Sequence, residues 1–312
     1  MSDAMEFFKK SEALFEFYGE GKYADALAVA EKLAVEHPEQ DARTAFWLIC
    51  LQNMTGQSER ALQTFEDAVA RGAWWAESRM RGDSDLDSLQ GNPEFERLVK
   101  LSEAMRKQAE AAAKPELFVH QPPGAGPFPL LIVLGPRGNV PELDLRDWSP
   151  VLKLGWMLAL PRSTQMASPT SFLWDDREKA LNEIEAHYET LLKDDSVDAS
   201  RIVIAGFSQG AARAIELVMS QKLKARGFIA VVPGTLDTAE LEGWAASSKV
   251  RGVLISGGKD PRYEMFIQIK ELFARHHLPL MFEHFPEMAH QIPDDFEAIL
   301  QKALEFILQE KE

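Results

Sequence analysis

From about Pro115 onward the chain contains seven short runs of apolar, often branched residues: LFVH, PLLIVLG, GWMLALP, RIVIAGF, GFIAVVPG, VRGVLISGG and LPLMFEHF. Stretches with helical spacing, such as DDREKALNEIEAHYETLLKD and RYEMFIQIKELFARHH, separate several of them. Short unbroken apolar runs read as strands buried on both faces, and strands alternating with helices predict a mostly parallel sheet covered by helices on both sides. QPPGAGPFP is the turn-rich connection between the first two runs. Open sheets of this kind carry their sites at the carboxyl ends of the strands, so chemistry is expected there.

Before Pro115 the period differs. Residues 1–113 show apolar side chains three and four apart with frequent alanine, which predicts helix throughout, and proline occurs only at Pro38 and Pro93, where helices should end or begin. The region also repeats itself. Gly21-Lys22-Tyr23-Ala24-Asp25-Ala26 and Gly56-Gln57-Ser58-Glu59-Arg60-Ala61 lie 35 residues apart, and Ala30 and Leu33 correspond to Phe65 and Ala68. This resembles the tetratricopeptide repeat, a helix–turn–helix unit of about 34 residues. The likeness lies in the second helices; Leu14 and Ile49 stand where that repeat usually has a small residue. The stretch DSDLDSLQGNPEFERLV reads as a helical cap. The expected organisation is a TPR-like all-α domain over 1–113 and an α/β domain over 114–312.

Composition removes several classes of function. The net charge is −15, with 49 acidic against 34 basic residues. Both parts are acidic: residues 1–113 hold 21 acidic and 13 basic side chains, which leaves 28 and 21 for the rest. A nucleic-acid partner is therefore not expected. Cys50 is the single cysteine, so no disulfide can form within the chain. MSDAMEFFKK lacks the basic start and apolar run of a signal peptide, and no window holds 18 consecutive apolar residues, so a cytoplasmic protein without a membrane span is expected.

The segment RIVIAGFSQGA places Ser208 between Gly206 and Gly210, after an apolar run and at the start of a helical pattern. That is the context of a nucleophile elbow, where a sharp strand-to-helix turn presents a serine above a sheet and the next residue's amide faces a developing oxyanion. A serine hydroxyl needs a base to take its proton and an acid to orient that base. Lys259-Asp260-Pro261 follows the run VRGVLISGG, and Pro286-Glu287-Met288-Ala289-His290 follows LPLMFEHF. Serine, acid and histidine thus come in α/β-hydrolase order, each after a different strand.

On DASRIVIAGFSQGAARA, GGKDPR and EMAHQIP, residues 115–312 resemble a small serine esterase of the α/β-hydrolase fold, nearest the carboxylesterase, phospholipase and acyl-protein thioesterase group. The resemblance implies Ser208 as nucleophile, His290 as general base and then acid, and Asp260 as the orienting carboxylate. It also implies an oxyanion hole from the amide of Gln209 and one from an early-strand loop, which here reads Leu134-Gly135-Pro136-Arg137-Gly138-Asn139 in place of a His-Gly sequence. Proline has no N–H, so Arg137 is the expected donor, and Pro136 at that position would remove the bond.

Other candidates are weaker. His284 lies inside a strand pattern, His276-His277 at a helix end, and Glu287 and Asp294-Asp295 come too late to serve as the acid. Trp156, Met157, Met166, Phe172 and Trp174 read as core or as an acyl pocket. No metal site and no cofactor are expected. The short stretch between Pro233 and Val250 leaves little room for a lid. The expected function is a serine hydrolase of carboxylic esters or thioesters, with peptidase action on small peptides open to the same triad. The repeats would bind a protein or peptide, or frame the site. The alternative is a repeat-type adaptor whose hydrolase domain is weak or inactive.

Overall fold

The computed structural model describes residues 3–309 and divides into two compact units. The first is helical: α1 (Asp3–Gly19), α2 (Tyr23–Glu36), α3 (Asp41–Met54), α4 (Ser58–Ala70), α5 (Glu77–Gly82) and α6 (Pro93–Ala112). Successive helices of α1–α4 pack on one another. The repeat has a structural basis in both copies. Gly21 and Gly56 turn the chain at φ +73° and +77°, a conformation glycine adopts without a Cβ penalty. Ala26 and Ala61 are fully buried, and so are Ala30, Phe65 and Ala68. Leu14 and Ile49 are buried as well, packing in the cores of the two pairs.

The second unit starts at Lys114 and holds β1 (Glu116–His120), β2 (Phe128–Leu134), α7 (Pro141–Trp148), α8 (Pro150–Lys153) and β3 (Met157–Arg162). After a short hairpin, β4 (Met166–Ser168) and β5 (Ser171–Phe172), come α9 (Arg177–Leu191), β6 (Val197–Phe207), α10 (Gln209–Met219) and β7 (Gly227–Val231). The chain closes with α11 (Thr238–Ala245), β8 (Arg251–Gly257), α12 (Tyr263–Arg275), β9 (Leu280–Phe285) and α13 (Phe296–Leu308). All seven apolar runs form the strands of one sheet, in the order β1-β3-β2-β6-β7-β8-β9. Every neighbouring pair is parallel except β1 with β3. Leu130–Leu134, Gly227–Val231 and Gly252–Gly257 are buried at every position. Since successive side chains point to opposite faces, both faces of the sheet are covered.

Met166–Ser171 belongs to the helical unit, although a division at 113/114 assigns it to the other. The reason is backbone pairing: Ala76 N donates to Ala167 O (2.9 Å), and Met166 N donates to the Glu110 carboxylate (2.7 Å). Among the described residues no helix is long and apolar enough to cross a membrane.

Candidate active site

The central strand β6 delivers Ile202–Ala205 into the core between β2 and β7, then ends abruptly. Ser208 stands at φ +53°, ψ −119°, and α10 starts at Gln209. A positive φ is rare for a residue with a side chain and signals strain held by its surroundings. Two glycines allow the turn to be this tight. A Cβ on Gly206 would lie 2.5 Å from the Gly210 carbonyl carbon, and one on Gly210 would lie 1.9 Å from the Leu134 oxygen. The strained residue is pinned on both sides: its N–H donates to Val231 O (3.0 Å), and its carbonyl accepts from Gly234 N (2.7 Å).

Loops at the carboxyl ends of β8 and β9 bring the other two groups. Gly258 N donates to Phe285 O and Lys259 N to Met288 O, which locks these loops together. His290 Nε2 lies 2.8 Å from Ser208 Oγ, and His290 Nδ1 lies 2.5 Å from Asp260 Oδ2. With a carboxylate as its acceptor, Nδ1 carries the hydrogen, and the Nε2 lone pair faces the serine hydroxyl. Phe207 stacks on the imidazole, with ring centroids 5.1 Å apart. The Asp260 side chain is fully buried. The structure thus brings together Ser208, Asp260 and His290 as the sequence ordered them.

Sequence reasoning missed Arg262. Its backbone N–H donates to Asp260 Oδ1 (2.8 Å) and its Nε to the same oxygen (3.1 Å), while Nη2 reaches Oδ2 (3.3 Å). Nη2 also lies 2.8 Å from His290 Nδ1. Because Nδ1 already donates to Asp260, this last approach sets a cation beside the ring. Burial lowers the His290 pKa, the Arg262 charge lowers it further, and Asp260 opposes both. Burial by itself would raise the Asp260 pKa, but bonds from Arg262 and His290 outweigh it and the carboxyl stays below its usual range. The signal was present in Asp260-Pro261-Arg262, where a turn returns the guanidinium to the acid two residues earlier.

The expected oxyanion donors are Gln209 and the loop after β2. The Gln209 amide is the first of α10, so no helical carbonyl accepts it and the helix dipole favours an anion there. In the loop, Pro136 offers no N–H, and the amides of Gly138 and Asn139 both donate to Phe172 O (2.8 and 3.0 Å). Arg137 sits between them, and its guanidinium pairs with Asp175 through Nε (3.0 Å) and Nη2 (2.9 Å). The Gln209 side chain binds the same segment: Nε2 donates to Asp175 (2.8 Å), and Oε1 accepts from Trp174 N (2.9 Å). Trp174 Nε1 donates to Gly135 O (3.1 Å). Asp175 and Trp174, which the sequence did not single out for this role, therefore tie together the two loops that were expected to supply amides.

Beneath the loop, Asn139 Nδ2 donates to Asp144 Oδ2 (2.5 Å), and a Cβ on Gly135 would meet those two groups at 1.9 and 2.4 Å. Asp144 is buried, which pushes its carboxyl well above the usual range; neighbouring Asp147 and Glu142 add to this.

The remaining candidates lie elsewhere. His284 is exposed on β9 against Tyr263, and His276 pairs with Glu242 (2.6 Å). Trp156, Met157 and Trp174 are core residues of the second unit, whereas Met166 falls in the helical unit. Cys50, Asp83 and Asp85 have ligand atoms within 4.8 Å of one another in the helical unit. Burial raises the Cys50 pKa, with the two acids adding to it, so the thiol keeps its proton.

A mostly parallel sheet with its serine on a strained turn after a central strand is the architecture of the α/β-hydrolases. Residues 171–309 match the family described as phospholipase/carboxylesterase, and residues 9–111 match the A/B hydrolase-like N-terminal domain. No match was found among curated proteins. An uncharacterized protein from Bacillus cereus ATCC 10987 is similar in structure at TM-score 0.56 and 21% identity, over 96% of this chain and 98% of its own. Esterase PE8 aligns at TM-score 0.54 and 17% identity, over 63% of this chain and 100% of its own. Est1E from Butyrivibrio proteoclasticus, solved with ferulic acid, aligns at 0.51 and 16%, over 62% and 94%. These likenesses extend to the fold.

Proposed function

We propose that the second unit is a serine hydrolase that cleaves carboxylic esters or thioesters through an acyl-enzyme. The observation that carries this is Ser208 Oγ, held at positive φ and 2.8 Å from His290 Nε2. In the first half-reaction Ser208 Oγ attacks the acyl carbon while its proton passes to His290 Nε2. The Asp260 carboxylate, on the Nδ1 side, orients the ring and stabilises the imidazolium. The oxyanion takes the Gln209 amide, with the Arg137 amide as the second donor. His290 then returns the proton to the leaving alcohol or thiol, leaving an acyl ester on Ser208. Water, deprotonated by His290, attacks that ester, and the acid product leaves as Ser208 regains its proton.

The test is covalent labelling with a fluorophosphonate together with hydrolysis of a nitrophenyl ester series. Wild type should label at Ser208, and Ser208→Ala should lose both labelling and about 10⁴-fold or more of kcat. A chain that does not label, or a Ser208→Ala variant at full activity, would remove the reading and leave the adaptor alternative standing.

A further inference from the structure

At the amino ends of β7 and β8, opposite the strand ends that carry Ser208 and Asp260, lies a cleft of about 990 Å³. Four of its lining residues are cations: Lys224, Arg226, Lys249 and Arg251. They come as two copies of one pattern, Lys-Ala-Arg and Lys-Val-Arg, and each leads into a strand. The strands are parallel neighbours with Gly227 opposite Arg251, so the register sets the two basic triplets side by side. Among the described residues no aspartate or glutamate lines the cleft and none of the four cations has a carboxylate partner. In a chain of net charge −15 this is a local inversion of sign. Arg251 is partly held, its guanidinium lying 5.3 Å from the centre of the Phe306 ring. Leu223 and Ile307 lie buried beneath its floor.

We propose that this cleft binds a small molecule bearing a di- or triphosphate. Four cations lining one cleft match the charge of such a group, whereas a single carboxylate or monophosphate would leave most of them uncompensated. Guanidinium forks suit phosphate oxygens, and the volume lies within the range of small-molecule sites. The proposal does not depend on the hydrolase reading, because the cleft and Ser208 lie at opposite ends of the strands.

Inorganic pyrophosphate is the probe, titrated calorimetrically into the full chain at low salt, with inorganic phosphate, citrate and sodium chloride of matched ionic strength as comparisons. The expected result is saturable pyrophosphate binding at least about tenfold tighter than phosphate and weakened by added salt. Lys224→Ala/Arg251→Ala and, independently, Arg226→Ala/Lys249→Ala should each weaken it about tenfold or more, with melting temperature and fluorophosphonate labelling unchanged. Binding no stronger than the chloride control, or equal in wild type and both double variants, would overturn the site. Citrate binding as tightly as pyrophosphate would overturn the phosphate assignment.

Discussion

Replacing Arg262 with methionine removes a cation that touches both the acid and the base of the proposed triad, and the direction of the result follows from the geometry. Arg262 Nη2 lies 2.8 Å from His290 Nδ1. Two unit charges about 4 Å apart interact by about 4 kcal/mol at an effective dielectric of about 20, equivalent to about three pKa units. The side chains of Arg262 and His290 keep 29% and 31% of their surface exposed, so water screens much of this and only part of it remains. The substitution also frees Asp260 from the guanidinium, which lets the carboxylate serve the imidazolium alone and acts in the same direction. The backbone N–H of residue 262 still donates to Asp260, so the acid keeps its place. The catalytic base must be neutral, and a raised histidine pKa moves the acid limb of the kcat/KM profile to higher pH. Arg262→Met should therefore shift that limb to higher pH, costing about tenfold well below the midpoint and little near pH 8.5. Arg262→Lys should shift it less. Nitrophenyl acetate hydrolysis from pH 5 to 9 measures the limb. If it stays put or moves to lower pH in a folded Arg262→Met protein, the electrostatic reasoning is wrong.

Three further outcomes follow from close contacts and burial. Gly210→Ala places a methyl 1.9 Å from the Leu134 oxygen, a backbone group that cannot step aside, and should cost about 3 kcal/mol or more of stability in a denaturant titration. Gly234→Ala sets a methyl 3.3 Å from the Gln209 nitrogen, where it crowds the oxyanion side of the turn; kcat should fall at least about tenfold with the melting temperature nearly kept. Asp144 has a folded pKa raised by burial, so above about pH 4 the unfolded chain releases a proton that the folded chain retains, and stability falls as pH rises toward the folded value. Asp144→Asn removes that titration, so its melting temperature relative to wild type should climb between pH 4.5 and 7.5; a constant difference would contradict the assignment.

The strands were legible because each is an unbroken apolar run, and such runs become continuous burial in β2, β7 and β8. Ser208, Asp260 and His290 were legible because their order along the chain matches the sheet order of the strands they follow, β6, β8 and β9. Arg262 was hidden, since a guanidinium folding back on a neighbour depends on a side-chain conformation that no spacing encodes. Asp175 was hidden for a related reason. In LWDDREK the pair of acids reads as a helix start, and Asp176 does cap α9 through Lys179 N, while Asp175 turns to Arg137 and Gln209. The pairing of β1 with β3 instead of β2, and of Ala167 with Ala76, is tertiary and leaves no local trace.

The placement of Met166–Ser171 also bears on how the protein is made. A helical unit that ended at Ala113 could finish folding as soon as that residue cleared the ribosome. Here its last pieces arrive with Met166 and Ala167, which bond to Glu110 and Ala76. At typical rates of synthesis they follow Ala113 by about 3–10 s. During that interval β1, β2 and β3 emerge with apolar residues exposed and their central partner β6 still unmade. The interleaved chain order therefore delays completion of the helical unit until the third strand of the sheet has been made.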